Sequence, residues 1–178
     1  MRIIVIFAFA IAAAACGSDG GSAPVCSGTG CTCADTACTC TTGLDCKTTC
    51  DGPCSLTCSS STKCEGDSND ALLLTCNDSS QCKAAAGDGS HVTCTASSNC
   101  DLKLGANSNV TCDTSATCKI QVGTASNITC AGSTTCNVKC DGDCKTTCEA
   151  GAECAVTCGA AGTAATMCAT GVFACGSC

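Results

Sequence analysis

The chain has 178 residues, of which 27 are cysteine, 19 glycine and 3 phenylalanine, with no tryptophan or tyrosine. This cysteine content is well above the roughly 8–10% that marks a disulfide scaffold, and so few aromatic rings exclude an ordinary globular core. The formal net charge is −7 and the 8 basic residues are scattered. Nucleic acid is therefore excluded as a partner, because proteins that bind it carry a basic patch or stripe.

The first fifteen residues have the plan of a secretory signal peptide. Arg2 precedes an apolar run over residues 3–15, which ends in four alanines. This run is shorter than the ~20 apolar residues that a transmembrane helix needs. We therefore assign residues 1–15 as a signal peptide and expect the chain to be exported.

Cys16 follows this run directly and is followed by Gly17. The segment resembles the signal of bacterial lipoproteins, with Ala13 where that family usually has leucine. The resemblance implies a lipid on Cys16, a membrane partner through that anchor, and sorting to the bacterial outer membrane or cell surface. The alternative is ordinary cleavage after Ala15, which would give a soluble secreted protein. Residues 17–25 have the composition of a flexible linker.

Cysteines recur every 18 residues in two series, over seven consecutive units without insertion or deletion. Fixed short periods of this kind are typical of solenoids, in which each unit is one coil stacked on its neighbours. The first series is Cys40, Cys58, Cys76, Cys94, Cys112, Cys130 and Cys148, and the second is Cys46, Cys64, Cys82, Cys100, Cys118, Cys136 and Cys154.

Residues within a unit are numbered here from the first-series cysteine, which is position 1. Small or apolar residues alternate with polar ones at positions 7–11, as in Cys100, Leu102 and Leu104, and again from position 15 to the next position 1. Alternation with period two indicates a half-buried strand, and the segments between are rich in turn residues. The sequence predicts an all-β fold: a disulfide-laddered β-solenoid of seven 18-residue coils with two short strands each. A triangular left-handed β-helix is the alternative, because an 18-residue coil can also consist of three six-residue sides.

Positions 1 and 7 flank the same five-residue turn, and both side chains face inward. Their expected separation suits the Cα–Cα distance of a disulfide, about 5.5–6 Å, so we predict one bond in each coil. The predicted bonds are Cys40–Cys46, Cys58–Cys64, Cys76–Cys82, Cys94–Cys100, Cys112–Cys118, Cys130–Cys136 and Cys148–Cys154, with Cys50–Cys54 and Cys140–Cys144 across the three-residue turn.

Eight cysteines lie outside this ladder. They are Cys26, Cys31, Cys33 and Cys38 before it, and Cys158, Cys168, Cys175 and Cys178 at its end. Each end therefore has four cysteines, an even number, which predicts caps tied by disulfides. The sequence leaves the pairing within each cap open. We divide the chain into the signal peptide (1–15), a linker and N-terminal cap (16–39), the solenoid (40–165) and a C-terminal cap (166–178).

Position 18 is threonine at every coil boundary: Thr39, Thr57, Thr75, Thr93, Thr111, Thr129 and Thr147. These side chains should form an outward row with a spacing of about 4.7–4.9 Å. Together with the Cys-x5-Cys spacing, the segment Thr93-Cys94-Thr95 resembles the repeat of beetle hyperactive antifreeze proteins, although that family repeats every 12 residues. Those proteins are disulfide-laddered β-solenoids whose outward Thr-x-Thr rows bind ice. The resemblance implies ice binding by the threonines from Thr57 to Thr147; the alternative is a row selected for β-propensity alone.

The second row of that motif is less regular here. It would be position 2, which holds Thr41, Ser59, Asn77, Thr95, Asp113, Ala131 and Glu149. The two charged residues interrupt an ice-matching surface. On the opposite sheet, position 8 holds Lys47, Glu65, Lys83, Asp101 and Lys119, whose alternating signs predict cross-strand ion pairs.

Catalytic chemistry has few candidates in this chain. His91 is the single histidine, and no motif places a carboxylate beside it. The pairs Cys31/Cys33 and Cys38/Cys40 resemble metallothionein ligands, but export favours disulfides. The Asp-Gly turns lack the repeat of calcium-binding β-helices. We expect no enzyme activity, cofactor or metal, and predict a cell-surface structural or interaction protein with an unknown surface partner. Binding to ice or another lattice is the alternative.

Overall fold

A computed structural model describes residues 23–41 and 45–178, so Cys16, the assigned signal peptide and residues 17–22 lie outside it. The described residues form strands and turns and contain no α-helix. The first strands are β1 (Val25–Ser27), β2 (Cys31–Ala34), β3 (Ala37–Cys40), β4 (Asp45–Cys50), β5 (Cys54–Cys58), β6 (Lys63–Ser68), β7 (Leu72–Cys76), β8 (Gln81–Ala86), β9 (His91–Cys94) and β10 (Asn99–Leu104).

The remaining strands continue the same alternation of a longer and a shorter segment. They are β11 (Asn109–Cys112), β12 (Thr117–Val122), β13 (Ser126–Cys130), β14 (Thr135–Cys140), β15 (Cys144–Cys148), β16 (Glu153–Cys158), β17 (Thr163–Ala164), β18 (Thr166–Ala169) and β19 (Val172–Cys175).

These strands form two sheets that face each other across a thin core. Sheet A has the order β1-β4-β6-β8-β10-β12-β14-β16-β17, and sheet B has the order β18-β19-β15-β13-β11-β9-β7-β5-β3-β2. Because the chain passes from one sheet to the other at every corner, each coil contributes one strand to each sheet. The last unit is the exception, since its second strand, β17, pairs antiparallel with β16 in sheet A. The predicted β-solenoid with two strands per coil is confirmed, and the triangular alternative with three faces is excluded.

Neighbouring coils stack in parallel with an offset of one repeat. Cys100 pairs with Cys82 on one side and with Cys118 on the other, and Thr111 pairs likewise with Thr93 and Thr129. A side-chain type that recurs at one repeat position therefore forms a continuous row along the solenoid.

The two corners of a coil are built differently. In the five-residue corner, positions 3 and 4 adopt a left-handed backbone, as in Ala96 (φ 53°) and Ser97 (φ 62°). In the three-residue corner, the serine at position 15 closes the turn: Ser90 Oγ donates to the Gly87 carbonyl at 2.8 Å, and Ser108 Oγ to the Gly105 carbonyl at 2.9 Å. Small polar residues suit both corners because their side chains satisfy backbone groups that the sheets leave free.

The core between the sheets contains one to three buried leucine, isoleucine or valine side chains per coil. Leu102, Ile120 and Val138 line it from sheet A at position 9, and Val110 and Ile128 line it from sheet B; each is 2% exposed or less. On the side of the five-residue corner, the paired cysteines complete the interior. Among the described residues no aromatic side chain is fully buried in this core, and Phe173 of the C-terminal cap packs against it while only partly buried.

The structure forms the nine disulfides that the period predicts. The seven bonds across the five-residue corner have Cα–Cα distances of 6.2 to 6.6 Å. The two across the three-residue corner, Cys50–Cys54 and Cys140–Cys144, have distances of 6.3 and 6.0 Å. Each bond therefore joins sheet A to sheet B within one coil.

Antiparallel strands close both ends of the solenoid. At the N-terminal end, β1 covers β4 and β2 covers β3; at the C-terminal end, β17 covers β16, while β19 covers β15 and is itself paired with β18. Capping strands hide the open edges that would otherwise pair with other chains.

The cysteines of the two caps behave differently. At the C-terminal end all four are bonded, as Cys158–Cys175 and Cys168–Cys178. At the N-terminal end only Cys33–Cys38 forms, and Cys26 and Cys31 remain thiols, so the expectation of a fully bonded N-terminal four is not met in this structure. Cys33 and Cys38 pair across one hairpin, whereas Cys26 and Cys31 belong to different sheets.

Candidate functional site

The outer surface of sheet B carries an unbroken row of threonines. The seven residues at position 18, from Thr39 to Thr147, pair in register from β3 to β15, and all are exposed or half-buried. The row extends into the cap, where Thr32 Oγ1 lies 3.0 Å from Thr39 Oγ1. The sequence repeat did not indicate this eighth threonine because β2 runs antiparallel to the coils.

A second outward row lies beside the threonines at position 16. It consists of Ala37, Ser55, Leu73, His91, Asn109, Asn127 and Lys145, again in register. Neither row contains a carboxylate, so the outer surface of sheet B presents hydroxyls and amides with one lysine at its C-terminal end. Leu73 is 56% exposed, because position 16 faces outward in the alternation whatever residue type it holds.

The second row of the antifreeze motif does not lie within sheet B. Strands β9 and β11 end at Cys94 and Cys112, so Thr95 and Asp113 at position 2 already belong to the corner. The left-handed residues that follow turn the chain away toward sheet A. The charges of Asp113 and Glu149 therefore lie beside the threonine surface rather than within it.

The outer surface of sheet A is highly charged and internally paired. Lys47 and Lys83 each lie 3.7 Å from Glu65, and Lys119 lies 3.5 Å from Asp101, as the alternating signs at position 8 predict. Six of the seven lysines lie on strands of this sheet, the exception being Lys145. Because these groups are exposed, each pair contributes little to stability, and together they form a solvated surface with balanced charge.

No acid–base pair forms around the single histidine in the described part of the chain. His91 is exposed on β9, and its neighbours in register are Leu73 and Asn109. Two of the turn carboxylates already have partners: Asp88 Oδ1 accepts a hydrogen bond from the Ala106 backbone N–H at 2.7 Å, and Asp141 accepts one from the Gln121 side-chain amide at 2.7 Å.

Sulfur atoms lie close enough for metal coordination, but most are already bonded. Cys31, Cys40 and Cys46 have their sulfurs within 4.8 Å of one another, as do Cys26, Cys33 and Cys38. In each group two of the three form a disulfide, which removes the thiolates that a soft metal ion needs. The arrangement leaves one thiol in each group.

Three further findings complete the description. Within residues 23–41 and 45–178, no helix has the length and apolar character that a membrane crossing requires. The predicted lipid attachment at Cys16 lies outside these residues. Comparison of the chain with protein-family models, with curated proteins and with solved structures finds no match.

Proposed function

We propose that the chain is an exported, lipid-anchored protein that holds a rigid solenoid at the cell surface as a structural or interaction element, without catalysis. The observation that carries this proposal is the presence of a disulfide in every coil. Disulfides in such number persist in oxidising compartments outside the cytosol. The signal-like residues 1–15 and Cys16 supply the route and the anchor.

The fold suits a spacer or a display platform. Seven coils at ~4.8 Å each give a solenoid about 34 Å long, and every coil is closed covalently. The linker that follows Cys16 would allow this rigid unit to reorient relative to the membrane. The solenoid then offers two different surfaces to partners: the densely charged sheet A, and sheet B with its threonine row and no carboxylate in either outward row.

Metabolic labelling with radioactive palmitate tests the anchor. The wild-type chain should incorporate label and fractionate with membranes. Cys16→Ala should lose the label, while Cys26→Ala, ten residues further along the chain, should retain it. A wild-type chain that carries no label, or a Cys16→Ala variant that keeps it, would contradict the proposed anchor.

Surface exposure is tested on intact cells with a membrane-impermeant amine reagent. The lysines of sheet A are solvent-exposed, so an exported chain should react without cell lysis. A chain that reacts only after lysis and carries reduced cysteines would place the protein in the cytosol and contradict export.

Ice, or another regular lattice, is the second candidate partner, and the threonine row of sheet B, which has no carboxylate within it, favours it. The threonine row repeats with the spacing of the strands and is longer than the coil repeat alone predicts. The test is thermal hysteresis and crystal shaping at high protein concentration. The wild-type chain should shape ice, and Thr111→Lys on sheet B should abolish shaping.

Thr117→Lys is the matched control because Thr117 is exposed on sheet A of the same stack. This variant adds a lysine to the opposite surface of the solenoid and should still shape ice. Absence of ice shaping by the wild-type chain, or equal loss in both variants, would eliminate ice as the partner.

A further inference from the structure

The N-terminal cap brings two thiols together over the end of the core. Cys26 on β1 is in register with Thr48 of sheet A, and Cys31 on β2 is in register with Cys40 of sheet B. Thr48 points inward and is fully buried, and its Oγ1 lies 3.9 Å from Cys31 Sγ. The two thiols therefore approach the same inward residue from opposite sheets.

The two thiols are also direct neighbours. Burial, and then the adjacent Cys26 side chain, raise the pKa of the Cys31 thiol to about 11. Both residues are half-buried. One cysteine on each sheet is the placement that the ladder disulfides of this solenoid share.

The cysteines around Cys26 and Cys31 are already bonded to one another, so these two are left to pair with each other. Cys33 is bonded to Cys38, and Cys40 to Cys46. Cys31 Sγ lies 3.6 Å from Cys40 Sγ, so exchange with that bond is geometrically accessible. Such an exchange would, however, release Cys46 as a new thiol and leave the number of unpaired sulfurs unchanged.

The C-terminal end shows what a completed end of the solenoid looks like. There, Cys158 on β16 of sheet A is bonded to Cys175 on β19 of sheet B, with a Cα–Cα distance of 5.5 Å. This bond joins the two sheets beyond the last ladder disulfide. The N-terminal end has the equivalent pair of cysteines, one on each sheet, in the thiol form.

We propose that Cys26 and Cys31 are the site of a thirteenth disulfide, which joins β1 of sheet A to β2 of sheet B over the N-terminal end of the core. Two thiols lose two protons and two electrons, and a disulfide oxidant such as glutathione disulfide is reduced to two thiols. One cysteine first forms a mixed disulfide with the oxidant, and the other then displaces the oxidant's second sulfur. The proposal goes beyond the proposed function, and its test is independent of where the protein resides.

The experiment uses the full chain with Cys16→Ser, so that the 26 remaining cysteines all lie in the described residues. The protein is incubated with glutathione disulfide and denatured, and free thiols are blocked with N-ethylmaleimide. It is then reduced and alkylated with iodoacetamide, and tandem mass spectrometry assigns one of the two labels to each cysteine. Cys26→Ser and Cys31→Ser are treated in parallel.

In the oxidised parent, Cys26 and Cys31 should both carry the second label, and N-ethylmaleimide should be absent from the chain. The mass of the oxidised parent before reduction should show no bound glutathione. In Cys26→Ser, Cys31 should be the one cysteine that carries either the first label or glutathione, and in Cys31→Ser the same should hold for Cys26. First label on both residues of the oxidised parent would overturn the proposal. First label on Cys46 in the Cys26→Ser variant would also overturn it, because Cys31 would then be bonded to Cys40.

Discussion

Cys112 lies directly beside Cys94 in sheet B, one full coil further along the chain. Their partners Cys118 and Cys100 lie beside each other in sheet A. The disulfides of neighbouring coils are thus stacked in one column at the five-residue corner, and the aliphatic side chains form a second column beside it. Both columns follow from the strict 18-residue register.

The aliphatic column should be sensitive to truncation. Ile120 is 1% exposed and lies in register with Leu102 and Val138. We expect Ile120→Ala to lower the free energy of unfolding by about 2–4 kcal/mol, because it removes buried contacts and leaves a cavity. Denaturant unfolding under non-reducing conditions measures this change.

Lys119→Ala is the matched control, one residue away on the outer surface of the same strand. Both side chains of its ion pair with Asp101 are exposed, so the free energy of unfolding should fall by less than about 0.5 kcal/mol. Equal effects of the two substitutions would show that the apolar column contributes nothing particular to stability.

The repeated part of the fold could be predicted from sequence because every coil repeats the same information. The spacing of Cys94 and Cys112 predicts the offset, and the alternation in Leu102 and Leu104 predicts a strand with one buried face. Consistency over seven coils excludes any other register. The threonine row follows from the same period, since a fixed position in each coil must lie on a fixed surface.

The caps could not be predicted because they lie outside the repeat and their strands run antiparallel. Nothing in the spacing of Cys158 and Cys175 indicates their bond, and Thr32 joins the threonine row only through a reversed strand. The location of Thr95 in the corner follows from the predicted five-residue turn, but the backbone conformation of that corner could not be predicted. It is left-handed at Ala96 and Ser97, two residue types that do not signal such a conformation reliably.

A single ladder disulfide should make a measurable contribution. The double variant Cys112→Ala/Cys118→Ala removes one bond in the middle of the stack without leaving a thiol. We expect a loss of about 2 kcal/mol, the value for closing a loop this short in the unfolded chain. Thr111→Ala/Thr117→Ala, the preceding exposed residues, should change stability far less; a larger loss from the threonine variant would contradict the prediction.

The reactivity of Cys31 should depend on pH in an unusual range. Burial is the first cause that raises its pKa to about 11, and it persists when Cys16→Ser/Cys26→Ser leaves Cys31 as the free thiol. The thiolate is the reactive form, so alkylation of this variant by iodoacetamide should still increase with pH above pH 9. An ordinary thiol, with a pKa of about 8.5, levels off earlier. A rate for Cys31 that is constant above pH 9 would contradict the assigned environment.

The central claim is that a disulfide in each coil replaces the large apolar core that this sequence lacks. Far-ultraviolet circular dichroism of the chain, reduced completely under otherwise native conditions and alkylated, tests it most directly. We predict that the β-sheet signal is lost, because the thin aliphatic column cannot offset a backbone ordering cost of ~1–2 kcal/mol per residue. A full β-sheet signal from a chain with every cysteine alkylated would contradict this explanation of the fold.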